Sequence, residues 1–121
     1  KILAVCGDGG FMMNCQEFET ALRVKAPFVT LIFNDSSYGL IKWKQMDQYG
    51  KSCCVDFTNP DFVKFAESMG AIGYRITKAE DLVPTLEKAF EQNVPVIIDC
   101  PVDYAENTKL TAHLKELMEK L

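Results

Sequence analysis

Three apolar runs constrain this chain more than any other feature: Ile2-Leu3-Ala4-Val5, Phe28-Val29-Thr30-Leu31-Ile32-Phe33 and Pro95-Val96-Ile97-Ile98. They lack the strict polar alternation of a strand with one wet face, and the second is rich in β-branched and aromatic residues. Such a strand is buried on both sides, as in a parallel sheet whose crossover helices cover both faces. The intervening segments supply those helices. Asn14-Cys15-Gln16-Glu17 reads as a capping box opening a helix that turns Phe18, Ala21 and Leu22 toward the sheet and ends at Ala26-Pro27. Residues 39–49 read as a helix with apolar Leu40, Ile41 and Trp43, and residues 50–58 as a loop. Asn59-Pro60-Asp61 opens another helix, with Pro60 near its first turn. Phe62, Phe65, Ala66 and Met69 form its buried stripe, and Gly70 is its stop. A short strand over 72–76, an amphipathic helix over 79–92 with Leu82, Leu86, Ala89 and Phe90 on one face, and a last helix over 110–121 complete the pattern. The order predicts an α/β fold, a doubly wound, mainly parallel sheet flanked by helices.

A chain of 121 residues is enough for one domain with one core, so residues 1–121 are read as a single unit. The apolar run at residue 2 has no lead-in, which leads us to expect a further N-terminal part in a larger protein. The net charge of −4 argues against nucleic acid, which selects a basic face. No apolar run approaches the roughly 20 residues of a membrane span, and the opening residues lack a signal-peptide pattern. Cys6, Cys15, Cys53, Cys54 and Cys100 have no zinc-ligand spacing, and Cys6 and Cys100 fall within strands as small hydrophobes. Reduced thiols and a cytoplasmic protein are expected.

Two of the strands end on a carboxylate followed by small residues: Cys6-Gly7-Asp8-Gly9-Gly10 and Asn34-Asp35-Ser36-Ser37-Tyr38. In parallel α/β sheets ligands sit beyond the carboxyl ends of the strands, and Asp8 and Asp35 fall there on consecutive strands. Mg²⁺ is held by one or two carboxylates, with phosphate oxygens and water completing its shell. Asp8 and Asp35 can supply the carboxylates, the Ser36-Ser37 turn a carbonyl, and Gly9 and Gly10 unobstructed backbone for a phosphate. Each tripeptide taken alone is more often a tight turn than a metal site.

Gly7-Asp8-Gly9, then a helix, an apolar strand and Asn34-Asp35, resembles the signature of the thiamin-diphosphate-dependent enzymes. The resemblance spans nearly the whole chain. Gly10-Phe11-Met12-Met13-Asn14, Val55-Asp56-Phe57, Phe65-Ala66-Glu67-Ser68-Met69-Gly70-Ala71 and the run from Pro95 to Tyr104 are similar to acetolactate synthases. It implies the C-terminal, diphosphate-binding domain, with its first part missing. It further implies thiamin diphosphate and Mg²⁺ as cofactors, with Asp8, Asp35 and the Ser37 carbonyl as metal ligands. Gly7, Gly9, Gly10, Tyr38 and Gly39 would surround the diphosphate, and Leu40, Ile41 and Lys44 would line the substrate pocket. No catalytic residue is expected here, because the family's activating glutamate belongs to an N-terminal domain. At Lys44 the chain departs from the biosynthetic synthases, which carry tryptophan there, and from the catabolic ones, which tend to carry glutamine.

The expected activity is that of an acetolactate synthase, condensing two molecules of pyruvate with loss of CO₂, in a homo-oligomer whose sites lie between subunits. The alternatives are another thiamin-dependent 2-oxo acid decarboxylase or carboligase, or a non-catalytic Mg²⁺/phosphate-binding module. His113 is read as a solvated side chain, Lys42, Lys44 and Lys51 as a solvated basic face, Cys53-Cys54 as ordinary thiols, and Asp99 and Asp103 as turn or cap residues.

Overall fold

The computed structural model describes residues 1–104. The expected helix over 110–121 and His113 lie outside the described residues. The strands are β1 (Leu3–Gly7), β2 (Val29–Asn34), β3 (Ile72–Arg75) and β4 (Val96–Pro101). They form one parallel sheet in the order β1-β2-β4-β3. The helices are α1 (Asp8–Met13), α2 (Glu17–Arg23), α3 (Gly39–Tyr49), α4 (Phe62–Ser68) and α5 (Leu82–Phe90), the last preceded by a 3₁₀ turn (Ala79–Asp81).

Helices cover both faces of the sheet, as a doubly wound fold requires. On one face Phe11 of α1, Phe18 of α2, and Phe62 and Ala66 of α4 close over Ile32 and Ile97. Phe11 sets its ring edge-on to Phe62 at 5.6 Å and to Phe18 at 6.3 Å. On the other face Leu82, Leu86 and Ala89 of α5 pack on Val29, Leu31, Val96 and Ile98. Ile32, Val96, Ile97 and Ile98 are completely buried; each such side chain stabilises the fold by about 1.5–3 kcal/mol.

The central strands are buried as their apolar runs predict, but β1 is not. Leu3 and Val5 are 41% and 54% exposed. An edge strand has one hydrogen-bonded neighbour, and of these residues only Cys6 packs into the core. The capping box at Asn14 does not form either. Asn14 ends α1, Gln16 precedes α2, and no side-chain cap bond is made there. The glycine-rich turn is itself helical, so the segment breaks into two short helices. Pro60 stands two residues before α4, whose cap is Asp61: the Asp61 carboxylate accepts from the Val63 and Lys64 amides. Gly70 follows α4 with φ +85°, as a helix stop should. Among the described residues no helix is long and apolar enough to cross a membrane.

Candidate cofactor site

Parallel strands bring all their carboxyl ends to one edge of the sheet. Gly7 pairs with Phe33, Asn34 with Pro101, and Arg75 with Asp99. Asp8 and Asp35 therefore follow adjacent strands, as expected from the sequence.

Asp8 is the first residue of α1 and only 2% exposed. Three N–H groups hold its carboxylate. The Gly9 amide donates to Oδ1 at 2.8 Å, the Ser36 amide to Oδ2 at 2.8 Å, and the Asn59 side-chain amide to Oδ2 at 2.6 Å. The Gly9 amide thus donates to Asp8 itself. A Cβ at Gly9 would come 2.8 Å from Tyr38 Cε1, so any larger residue there must displace that ring. That ring leans on Phe57 at 4.8 Å between centroids. A Cβ at Gly7 or Gly10 would meet nothing within 4 Å, so neither glycine is dictated by packing in this chain.

Asp35 accepts from the Ser37 hydroxyl at 2.8 Å and the Ser37 amide at 3.3 Å. Its carboxylate lies against Gly39, where a Cβ would be 2.9 Å from Oδ2. Ser36 adopts a left-handed φ of 54°, which aims its amide at Asp8. The segment read as a plain loop straps this turn. The Tyr38 amide donates to the Val55 carbonyl at 2.8 Å and the Phe57 amide to the Ser36 carbonyl at 3.0 Å. Ser37 bridges Asp56 without using its own carbonyl in either bond, which leaves that carbonyl oxygen available as a ligand.

Among the described residues no Lys or Arg forms an ion pair with Asp8 or Asp35. A buried carboxylate without a countercharge is expensive, and the three N–H donors are what offset that cost here. The negative potential is felt nearby. Burial and then Asp8 push the Cys6 thiol up. Burial, then Asp35 and Asp8, push the Tyr104 phenol up, so both carboxylates act on one ring. Tyr104 lies beside Gly39, at 3.9 Å from a Cβ built there. The two carboxylates and the Ser37 carbonyl offer only oxygen as donor atoms, and the described residues hold no cluster of three His, Cys, Asp or Glu. Such a set fits a hard divalent cation that takes its remaining ligands from phosphate and water.

The residues named for the substrate pocket lie on α3, which begins beside Asp35. Leu40 and Ile41 are 67% and 52% exposed, and Lys44 is exposed. Lys42 is not part of a free basic face, since its Nζ sits 2.7 Å from Asp56 Oδ1. An apolar cleft of about 430 Å³ lies elsewhere, between β1 and α1–α2, and contains neither Asp8 nor Asp35.

Sequence reading missed Asn34, Asn59, Asp99 and Arg75 as site residues. Asp99 is no turn residue: it is buried in β4, accepting from Asn34 Nδ2 at 2.9 Å and Arg75 Nε at 2.9 Å. Its carboxylate, hydrogen-bonded to Arg75, holds that guanidinium above its usual pKa. Strand position was the available signal: Asp99 is a charge inside an otherwise apolar run.

Residues 1–100 match the family described as thiamine pyrophosphate enzyme, C-terminal TPP binding domain. The chain is 44% identical over 112 residues to acetolactate synthase of Bacillus subtilis (strain 168), a match covering 93% of this chain and 20% of that protein. It is 35% identical over 120 residues to the catabolic acetolactate synthase of Raoultella terrigena, covering 98% and 22%. Among solved structures it resembles the thiamine diphosphate-dependent 4-hydroxybenzoylformate decarboxylase of Rhodococcus jostii RHA1. The TM-score is 0.79 and the identity 25%, over 88% of this chain and 20% of that one. The chain thus spans about a fifth of the length of these relatives. A parallel sheet of this form, with the match running over residues 1–100, places the chain in the thiamin-diphosphate-dependent enzymes, as their C-terminal cofactor-binding domain.

Proposed function

We propose that this chain is the cofactor-anchoring domain of an acetolactate synthase that condenses two pyruvates with loss of CO₂. The observation that carries the anchoring role is the buried Asp8 carboxylate, which has no basic partner among the described residues and follows β1, the strand beside the one that leads into Asp35. The substrate assignment rests on the likeness to two acetolactate synthases. Asp8, Asp35 and the Ser37 carbonyl would hold Mg²⁺, and the backbone around Gly9, Gly10, Tyr38 and Gly39 would border the diphosphate. Thiamin diphosphate, when bound, supplies the carbanion chemistry that no side chain offers. This chain's own contribution is to fix the cofactor's charged tail and, through α3, to present Leu40, Ile41 and Lys44 beside it. On this reading the activating glutamate comes from another domain, the full enzyme is an oligomer, and these residues alone bind but do not turn over.

Substituting Asp8→Ala or Asp35→Ala in the full-length enzyme removes cofactor retention. The measurement is thiamin diphosphate remaining after gel filtration in Mg²⁺, and tight retention by either variant refutes the reading. The structural likeness to a decarboxylase supports a second reading, decarboxylation without ligation. Incubation with pyruvate separates the two: acetolactate forms in the first case, acetaldehyde in the second.

A further inference from the structure

One chain of hydrogen bonds crosses the carboxyl ends of all four strands. Arg75 Nη2 donates to Asp61 Oδ1 at 2.9 Å, and its Nε to Asp99 Oδ2 at 2.9 Å. Asp99 Oδ1 accepts from Asn34 Nδ2 at 2.9 Å, and Asn34 Oδ1 accepts from Asn59 Nδ2 at 3.0 Å. The same Asn59 nitrogen donates to Asp8 Oδ2 at 2.6 Å. The polarity is fixed along its length. Arginine only donates and an ionised carboxylate only accepts, so Asn34 must present its oxygen to Asn59. Asn59 must then present its NH₂ to two acceptors; reversing that amide would set oxygen against oxygen at both contacts.

Asn59 Oδ1 is buried and has no hydrogen-bond partner among the described residues. An unpaired buried oxygen is destabilising, so what the asparagine contributes here lies in its NH₂. Its two N–H groups have a use. Asp8 Oδ2 accepts from both the Ser36 amide and Asn59, which fills its two lone pairs. Oδ1 accepts from the Gly9 amide alone and keeps one lone pair open.

We infer that Asn59 is a positioning residue: by occupying Asp8 Oδ2 it reserves Oδ1 for the divalent cation, and it ties that carboxylate to the Asn34–Asp99–Arg75 anchor. This inference rests on the proposed Mg²⁺–diphosphate site. Hydrogen bonds that orient a ligating carboxylate are worth about 10–100-fold in metal affinity.

The test uses the full-length, metal-free enzyme with thiamin diphosphate, titrated with Mn²⁺ and followed by the loss of the free Mn²⁺ electron paramagnetic resonance signal. Asn59→Ala and the bulkier Asn59→Leu should each bind Mn²⁺ at least about tenfold more weakly. Their thermal midpoints without metal should fall only modestly: two donated hydrogen bonds are lost, to Asp8 and to Asn34, and removal of the unpaired oxygen offsets part of that loss. An affinity within about threefold of wild type in either variant, well short of the effect of losing an orienting partner, overturns the inference. So does failure of both variants to fold, which would make Asn59 structural. Absence of Mn²⁺ binding by the wild type would instead refute the cation site itself.

Discussion

Gly39→Ala is a sharp test of the site, because it separates the geometry of a ligand from the stability of the fold. The new Cβ would stand 2.9 Å from Asp35 Oδ2. Carbon–oxygen contacts settle at about 3.3–3.6 Å, so the carboxylate must retreat by about 0.4–0.7 Å. That is cheap for the fold, since the obstacle is the tip of a side chain rather than backbone, and Gly39 does not have a left-handed φ. Alanine at the first position of α3 should even stabilise the helix, by about 0.4–1 kcal/mol. It is costly for a metal ligand, whose distances tolerate only about 0.2 Å of error. The shift also pulls Asp35 away from the Ser37 hydroxyl that holds it at 2.8 Å. We expect Mg²⁺ affinity in the presence of thiamin diphosphate to fall about 10–100-fold, or roughly 1.4–2.7 kcal/mol, while the metal-free thermal midpoint is unchanged or raised. Isothermal titration of Mg²⁺ into the full-length enzyme, paired with a thermal melt, reads both. Wild-type Mg²⁺ affinity in Gly39→Ala would mean that Asp35 does not ligate the cation through this geometry.

Two further outcomes follow from the polar chain across the strand ends. Asp99→Asn puts an NH₂ where one of two donors, Asn34 Nδ2 or Arg75 Nε, now finds an acceptor. Arg75 is 44% exposed and regains water, so the loss should lie near the lower end of a charge-assisted bond, about 2 kcal/mol; it is measured as faster hydrogen exchange at the ends of β3 and β4. Burial opposes ionisation of Asp61, but the Lys64 and Val63 amides and the Arg75 guanidinium outweigh it and hold its carboxyl below the usual value. A carboxylate with a lowered folded pKa stabilises above its unfolded pKa of about 3.9, and that contribution disappears as pH falls through the lower, folded value. Exchange protection of α4 should therefore be flat from about pH 5 upward and decline below about pH 4. Asp61→Asn, which caps without charge, should lack that acid limb.

The strands and most helices were legible because their signals are local. An apolar run such as Val96-Ile97-Ile98 has few alternatives to a buried strand, and the spacing of Phe62, Phe65, Ala66 and Met69 writes one face of α4 directly. The Asp8–Asp35 juxtaposition was also within reach, because consecutive parallel strands tend to be neighbours. Local signals failed where tertiary partners compete. Asn14 could have capped a helix, but Asp8 begins α1 first, and the chain turns between α1 and α2 instead.

What the sequence determined by itself was therefore the parallel α/β architecture and the two carboxylates at its business edge, since both follow from residue types within short windows. The tertiary structure alone decided which strand lies at the edge and leaves Leu3 and Val5 exposed. It decided which loop straps the Asp35 turn, and which oxygen of Asp8 remains open. The last depends on Asn59, 51 residues away. Hydrogen bonds are directional and short, so partners that far apart in sequence are chosen only when the sheet order and the strand register bring them within about 3 Å of each other.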